Sequence, residues 1–141
     1  MTEKKSPKKK YYLFNSEKFI LGRMSVKIAF MLQGKNKPQF APNKAGDCNV
    51  IVINSDKLNV SGKKMGDKMY HTFSGYPGGI TSRNLEEMIK KDSRKAIWNA
   101  VYGMLPKNKL RNPMMKKMLI FKDDKYNMPN IEIEEVQPQK A

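Results

Sequence analysis

The chain has 141 residues, with 28 lysines and arginines against 13 acids, so its formal net charge is +15. This length fits one domain, and so large an excess of positive charge favours a polyanionic partner, most often a nucleic acid. No apolar run approaches the ~18 residues of a membrane-spanning helix. The single cysteine, Cys48, fits a reducing compartment, and together with the single histidine, His71, it provides too few ligands for an ordinary zinc site.

The first half of the chain predicts a βαβ unit. Residues 1–10 are rich in lysine and predict a flexible basic tail. Residues 11–14 (YYLF) and 50–53 (VIVI) are apolar on both faces, which is typical of buried strands. Between them, apolar residues at helical spacing predict a helix over 21–33 that ends at Gly34. Two buried strands joined by an amphipathic helix form a βαβ unit, so we expect them to be parallel neighbours with a right-handed crossover.

The middle of the chain predicts a third strand and two helix starts. The strand is expected at 69–73, and the glycine-rich segment 75–79 that follows it must be a loop. A dinucleotide-binding loop has the pattern G-x-G-x-x-G and follows the first strand of its fold. This loop has neither the pattern nor that position, so the sequence does not indicate a dinucleotide site. Asn84 predicts a helix start of the capping-box type. Asp92 predicts a second start, for a helix that runs to Met104.

An acid-free basic segment, 103–117, dominates the second half of the chain. Apolar residues at helical spacing on both sides of its centre predict two helices, and Gly103 and Pro106 interrupt the pattern. We therefore expect a short, rigid, basic turn between the helices. Residues 118–121 (MLIF) predict a last strand, and 123–141, with five acids, predict an acidic C-terminal tail. The domain itself is expected to span 11–122.

The residues alone leave several functions open. The scattered cations favour an RNA-binding structural protein, since each contact between a cation and a phosphate releases counterions. An enzyme that uses a nucleotide on a βαβ scaffold would depend on His71, Asp56 and Asp67, which form no recognised motif. An architectural DNA-binding protein is a further alternative, without a helix-turn-helix, zinc-finger or heptad pattern. The least specific interpretation is a solvated basic surface without a partner.

A set of short motifs resembles the bacterial type of the large-subunit ribosomal protein L13 family. In chain order these motifs are the strand at 11–15, LGR at 21–23, GK at 34–35, GD at 46–47 before VIVIN, DK at 56–57, SG at 61–62, SGYPGG at 74–79, EEMI at 86–89 and GMLPK at 103–107. The resemblance covers about 11–122. It departs at 126–135, which replaces the family's His-rich segment before Gln-Gln-Pro.

The resemblance implies a fold, a function and partners. The fold is a three-layer α/β/α single domain with a mainly parallel four-stranded sheet. The function is to bind large-subunit ribosomal RNA as a structural constituent of the cytoplasmic ribosome and to support early subunit assembly. The implied partners are that RNA and neighbouring ribosomal proteins, with no membrane, small-molecule substrate, catalysis, metal or cofactor. An organellar ribosome stays open.

Sequence and resemblance together predict the RNA-binding residues. We expect them to be Lys8, Lys9, Lys10, Arg23, Lys27, Lys35, Lys37, Lys63, Lys64, Lys68, His71, Gly75, Tyr76, Gly78, Gly79, Arg83, Lys107, Lys109, Arg111, Lys116 and Lys117. Within this set, Lys107, Lys109 and Arg111 are predicted to form the densest contact, because a rigid turn holds out cations at low entropic cost. Tyr76 is expected to be exposed, where it can stack on an unpaired base.

Overall fold

The computed structural model of the protein describes residues 10–126 and 132–138. Its elements are β1 (Lys10–Asn15), α1 (Leu21–Leu32), β2 (Asn49–Ile53), α2 (Lys64–Asp67), β3 (Met69–Phe73), β4 (Ile80–Asn84), α3 (Leu85–Met104), α4 (Arg111–Met115), β5 (Met118–Ile120) and β6 (Glu132–Glu135). Most of the predicted basic tail and part of the predicted acidic tail lie outside the described residues. No helix of the described chain is long and apolar enough to span a bilayer.

A four-stranded parallel sheet with the order β5-β2-β1-β6 forms the centre of the protein. In β1 and β2, Tyr12 pairs with Val50 and Phe14 with Val52. β5 extends the sheet beyond β2, and β6 extends it beyond β1. The predicted parallel pairing of the first two strands, with α1 as their crossover, is confirmed. The single α/β domain with a mainly parallel four-stranded sheet flanked by helices is confirmed as well.

One face of the sheet packs against the helices. Met24, Ile28 and Leu32 recur at helical spacing on α1, and all three are fully buried in a cluster that includes Phe14 of β1. Burial of each such side chain stabilises the fold by roughly 1.5–3 kcal/mol. α3 contributes Ile97 to the same cluster, so the two long helices form one layer. α1 ends as predicted, because the N–H of Gly34 donates to the Met31 carbonyl at 3.0 Å.

The opposite face of the sheet is covered by chain that follows β5. Tyr11, Leu13 and Ile51 are buried there against a group of partly buried residues that includes Phe121 and Tyr126. The strands β1, β2 and β5 succeed one another in one direction across the sheet, whereas β6 lies on the other side of β1. This order agrees with the position of Phe121 and Tyr126 on the second face, because a right-handed connection leaves β5 on that side. The described part of that cover, 121–126, is irregular and not helical.

The predicted strand 69–73 forms, but it lies outside the main sheet. β3 pairs with β4 in a separate antiparallel hairpin, and the glycine-rich loop joins the two strands. β4 (ITSRN) has a single large apolar residue, Ile80, so hydrophobic alternation does not reveal it. Its strand form comes from backbone pairing with β3.

The two predicted helix starts at Asn84 and Asp92 both exist, within one element. The Asn84 side chain accepts the Glu87 N–H at 2.9 Å and caps α3. Asp92 has non-helical backbone angles (φ −159°, ψ 101°) and kinks α3, and its Oδ1 accepts the Arg94 N–H at 3.2 Å. Asp92 therefore caps the second half of α3 as predicted.

Gly103 does not interrupt the helix, and that part of the expectation is wrong. α3 continues through Gly103 to Met104, and Gly103 has no positive φ. The helix ends at Leu105, which is extended (φ −80°, ψ 151°) because it precedes Pro106. We call residues 105–111, from the end of α3 to the first residue of α4, the elbow.

β6 forms where the composition of 123–141 predicts only a tail. All four of its residues are exposed, so no burial pattern marks it. It forms because the edge of β1 offers unpaired backbone groups, and Val136 continues the pairing by donating to the Leu13 carbonyl at 2.9 Å. Glu135 accepts from Lys18 at 3.1 Å.

Candidate nucleic-acid interface

The elbow is a closed turn that presents its two lysines to solvent. The Asn108 N–H donates to the Pro106 carbonyl at 2.9 Å, and its side-chain oxygen accepts the Leu110 N–H at 3.0 Å. Leu105 anchors the turn in the core with 2% of its surface exposed, whereas Lys107 and Lys109 are exposed. The rigid basic turn is therefore present, and Asn108, which the sequence analysis did not single out, is part of what fixes it.

Arg111, the third cation of the predicted elbow cluster, lies against an aromatic ring. Its guanidinium carbon is 3.7 Å from the ring centroid of Tyr102, and Nη2 lies 2.7 Å from the tyrosine hydroxyl. The Tyr102 ring also stacks on Trp98, with 4.7 Å between centroids and 14° between planes. Arg111 is half-buried as a result. It is more strongly positioned than the two lysines.

The basic end of α4 contacts the loop that follows α1. The Lys117 ammonium donates to the Gly46 carbonyl, while Lys116 is exposed. A Cβ on Gly46 would meet the Gly34 nitrogen at 2.5 Å, so the close approach of the two ends of this loop requires glycine. Between these ends lie the exposed residues Lys35 and Lys37. The structure therefore joins two predicted basic segments, and Lys117 already has a partner within the fold.

The cations around α2 lie near both long helices. Lys63, Lys64 and Lys68 are exposed. Lys64 and Lys68 line a cleft of about 270 Å³ whose other walls are the start of α1 and the end of α3. The Lys68 ammonium also lies 5.5 Å from the ring centroid of Tyr70. The burial of Tyr70 raises the pKa of its hydroxyl above the ordinary value, and this hydroxyl has no hydrogen-bond partner among the described residues.

The hairpin carries the glycine loop and two of the predicted residues, His71 and Arg83. These two lie on opposite faces of the hairpin, because His71 pairs with Ser82, and Arg83 with Tyr70. His71 Nδ1 is 2.7 Å from the Ser82 hydroxyl oxygen. Tyr76 is 76% exposed at the tip, as expected.

The loop turns through two glycines with positive φ, Gly75 (87°) and Gly78 (73°). Gly79 closes it, since its N–H donates to the Tyr76 carbonyl at 2.9 Å and its carbonyl accepts the Ser74 N–H at 3.1 Å. These glycines fix the loop that presents Tyr76 to solvent.

Three further predicted cations lie on the first two elements. Arg23 is exposed on α1, and the Lys27 ammonium lies 5.3 Å from the ring centroid of Phe19. Lys10 begins β1 and is 3.7 Å from a carboxylate oxygen of Glu134. Lys8 and Lys9 lie outside the described residues.

Most of the predicted cations have no acidic partner in the described part of the chain. The ion pairs found there are Lys10–Glu134, Lys18–Glu135, Lys57–Glu17, Lys90–Glu86 and Arg94–Asp92. Among the predicted RNA-binding cations, Lys10 alone belongs to this group. The cations of the elbow, the α2 segment and the 34–46 loop therefore form no ion pair within the described residues. They can be offered to an external anion.

Of the three groups that an enzyme would need, Asp56 and His71 are hydrogen-bonded within the fold and lie on separate elements. Asp56 Oδ1 accepts from the Ser93 hydroxyl at 2.5 Å, and Ser93 is also 2.8 Å from the Ser55 hydroxyl. This network, in which Ser55 and Ser93 are buried and Asp56 is exposed, joins the turn after β2 to the second half of α3. Asp92 nearby has a pKa below its usual value, chiefly because Arg94 donates to it. His71 lies on the hairpin, bonded to Ser82, and no group of metal-ligating side chains occurs in the described residues.

Fold and surface together define a basic single-domain α/β protein whose cations are exposed on loops and at helix ends. Residues 9–127 match the family model described as ribosomal protein L13. The large ribosomal subunit protein uL13 of Wigglesworthia glossinidia brevipalpis is 41% identical over 127 residues, which cover 90% of this chain and 89% of the relative. Its counterpart in Ureaplasma parvum is 43% identical over 119 residues, covering 84% and 80% of the two chains.

A third relative, from Mycobacterium avium and of the same name, is 41% identical over 111 residues, covering 79% and 76% of the two chains. The chain belongs to the ribosomal protein L13 family. The resemblance found in the sequence motifs is confirmed, and with it the assignment to a structural class of protein and not to an enzyme class.

Proposed function

We propose that the protein is a structural component of the large ribosomal subunit that binds large-subunit ribosomal RNA through the basic surface described above. The observation that supports this most is the set of exposed cations without acidic partners, on a chain of the ribosomal protein L13 family. The large-subunit role rests on the names of the relatives. Neighbouring large-subunit proteins are proposed as further partners, and the cytoplasm as the location.

The elbow is proposed as the centre of the RNA contact. Its backbone is closed by Asn108 and anchored by Leu105, so Lys107 and Lys109 project from a fixed frame. Cations on a fixed frame lose less freedom on binding than cations on a flexible chain. Such a frame suits early binding to RNA during assembly, when sequence-independent contacts with phosphates provide most of the affinity.

The remaining predicted residues are proposed to extend this contact. Lys35 and Lys37 lie on a loop that Lys117 ties to the end of α4, so the loop and the elbow approach the RNA together. The Gly75–Gly79 loop is proposed to bring Tyr76 against a ribose or an unpaired base. Lys8 and Lys9 are proposed to add further contacts with phosphates.

Sedimentation tests the proposed function. A tagged form of the full chain is expressed in a bacterium, the ribosomes are dissociated at low magnesium concentration, and the subunits are separated on a sucrose gradient. We expect the protein in the large-subunit fraction and not in the small-subunit fraction. Ribonuclease treatment of the same lysate is the control and should release it. A protein that stays at the top of the untreated gradient contradicts the proposal.

A further inference from the structure

A cleft of about 660 Å³ lies between the β3–β4 hairpin and one face of α3. Thr72 and Arg83 line it from the hairpin. Lys91, Lys95 and Trp98 line it from α3, Lys91 from before the kink at Asp92 and the other two from after it. A volume in this range is typical of sites that enclose a small organic ligand. The motifs of the resemblance do not include Lys91, Lys95 or Trp98.

Trp98 ends a stack of three planar groups. Arg111 and Trp98 both lie close to the ring of Tyr102, and two planar groups at such distances occupy opposite faces. Tyr102 covers one face of the indole and does not line the cleft, whereas Trp98 does line it. Trp98 is 42% exposed. One more aromatic ring can therefore continue the stack.

The charge of the cleft favours an anion. Arg83, Lys91 and Lys95 line it, and none of them has an acidic partner among the described residues. The one acid among the residues that line it is Asp92, whose Oδ1 accepts a hydrogen bond from Arg94 Nε at 3.0 Å. An aromatic platform beside two or three cations matches the base and the phosphate of a nucleotide.

We propose that this cleft binds one unpaired nucleotide of the RNA, with its base stacked on Trp98 and its phosphate between Lys91, Lys95 and Arg83. The proposal rests on the proposed function and names the feature of the RNA that this part of the surface selects. Paired bases in an A-form helix are stacked on their neighbours and cannot enter such a cleft, whereas a bulged base or an unpaired terminal base can. The cleft therefore distinguishes unpaired from paired RNA, which the surface lysines do not.

Trp98 is the single tryptophan of the chain, so tryptophan fluorescence, excited at wavelengths that the six tyrosines do not absorb, reports on this site. A single-stranded ten-nucleotide RNA and a duplex of the same length are titrated into the full chain, and binding is followed separately by the anisotropy of labelled RNA. We expect both RNAs to bind and only the single strand to quench Trp98. We expect Trp98→Ala to weaken single-strand binding about tenfold, from the loss of one stacked base. Trp98→Phe should restore most of it.

Charge variants give a second readout. Replacing Lys91 and Lys95 by Gln should weaken single-strand binding more than replacing Lys57 and Lys90, two lysines that lie in ion pairs. Circular dichroism verifies the fold of each variant. If Trp98→Ala does not fold, the proposal is tested with the double replacement of Lys91 and Lys95 and with Trp98→Phe.

Three results would overturn the proposal. One is RNA binding, measured by anisotropy, without quenching of Trp98, which leaves the proposed function intact. Another is quenching by adenosine monophosphate at concentrations as low as those of the oligonucleotide, which assigns the cleft to a free nucleotide. The last is no binding of either RNA, which overturns the proposed function as well.

Discussion

The main sheet and the β3–β4 hairpin are both built from short strands, yet they differ in what holds them. Val50, Ile51 and Val52 in β2 are fully buried, whereas Phe73 and Ile80, opposite each other in the hairpin, are 66% and 67% exposed. Burial of apolar surface stabilises the sheet. The hairpin buries too little to be explained by stability alone, so its form is better explained by what it presents: the glycine loop, Tyr76 and one wall of the Trp98 cleft.

The largest expected effect compares the same residue type in the two regions. Phe14 is fully buried against Phe19 and the α1 residues, so Phe14→Ala should lower the free energy of unfolding by about 3–5 kcal/mol. Phe73→Ala in the hairpin should lower it by less than about 0.5 kcal/mol. Urea denaturation measures both. Similar losses for the two variants would remove the distinction between the regions.

The next effect concerns the network that joins α3 to the end of β2. Ser93→Ala removes the partner of Asp56 and leaves the buried Ser55 hydroxyl without its 2.8 Å partner, so it should cost about 1–3 kcal/mol. Ser82→Ala, which removes an exposed contact with His71, is the matched control and should change stability little. A loss for Ser82→Ala as large as for Ser93→Ala would show that hairpin contacts matter as much as those of the core.

Glycine substitutions sharpen the comparison further. Gly78 has a φ of 73°, so Gly78→Ala should cost about 1–2 kcal/mol of local backbone strain, although no atom crowds the new methyl group. This strain falls on the hairpin, so amide hydrogen exchange of β3 and β4 is the sensitive measurement. Unchanged exchange in the hairpin would contradict the expectation.

Gly103→Ala gives the smallest effect, and its sign is opposite. Gly103 lies in α3 with open space around the position of a Cβ, so alanine should stabilise the helix by up to about 1 kcal/mol. Thermal denaturation measures this gain. A destabilised variant would contradict the description of Gly103 as an ordinary helical position.

Most parts of the fold that the sequence predicts are those where burial decides the structure, and β3, which is predicted although it is largely exposed, is the exception. β1, β2, β5 and α1 are apolar runs or stripes, and each lies where the pattern places it. β4 and β6 escape prediction because they are exposed, and their form depends on backbone pairing with β3 and β1. The kink at Asp92 was predictable from its capping chemistry, since that signal is local.

The candidate interface divides in the same way. The exposed lysines can be identified from charge runs and motifs, whereas the stack of Arg111 on Tyr102 depends on a chain reversal of nine residues through the elbow. The spacing of Trp98 and Tyr102, four residues apart on a helix, is a signal that could have found half of the stack. The cleft requires the hairpin to fold over α3, which no local pattern of the sequence predicts.

The most direct test of the account is the salt dependence of RNA binding. Lys107, Lys109 and Arg111 are replaced together by Ala, and Lys18, Lys57 and Lys90, three lysines in ion pairs, are replaced together as the matched control. The affinity for large-subunit ribosomal RNA is measured at several salt concentrations, with the fold of each variant verified by circular dichroism.

If each elbow cation contacts one phosphate, the slope of log affinity against log salt should shrink by about two to three units in the elbow variant. In the control it should change by less than one unit. A folded elbow variant whose slope equals that of the control would contradict the central claim that the elbow is the main contact with RNA.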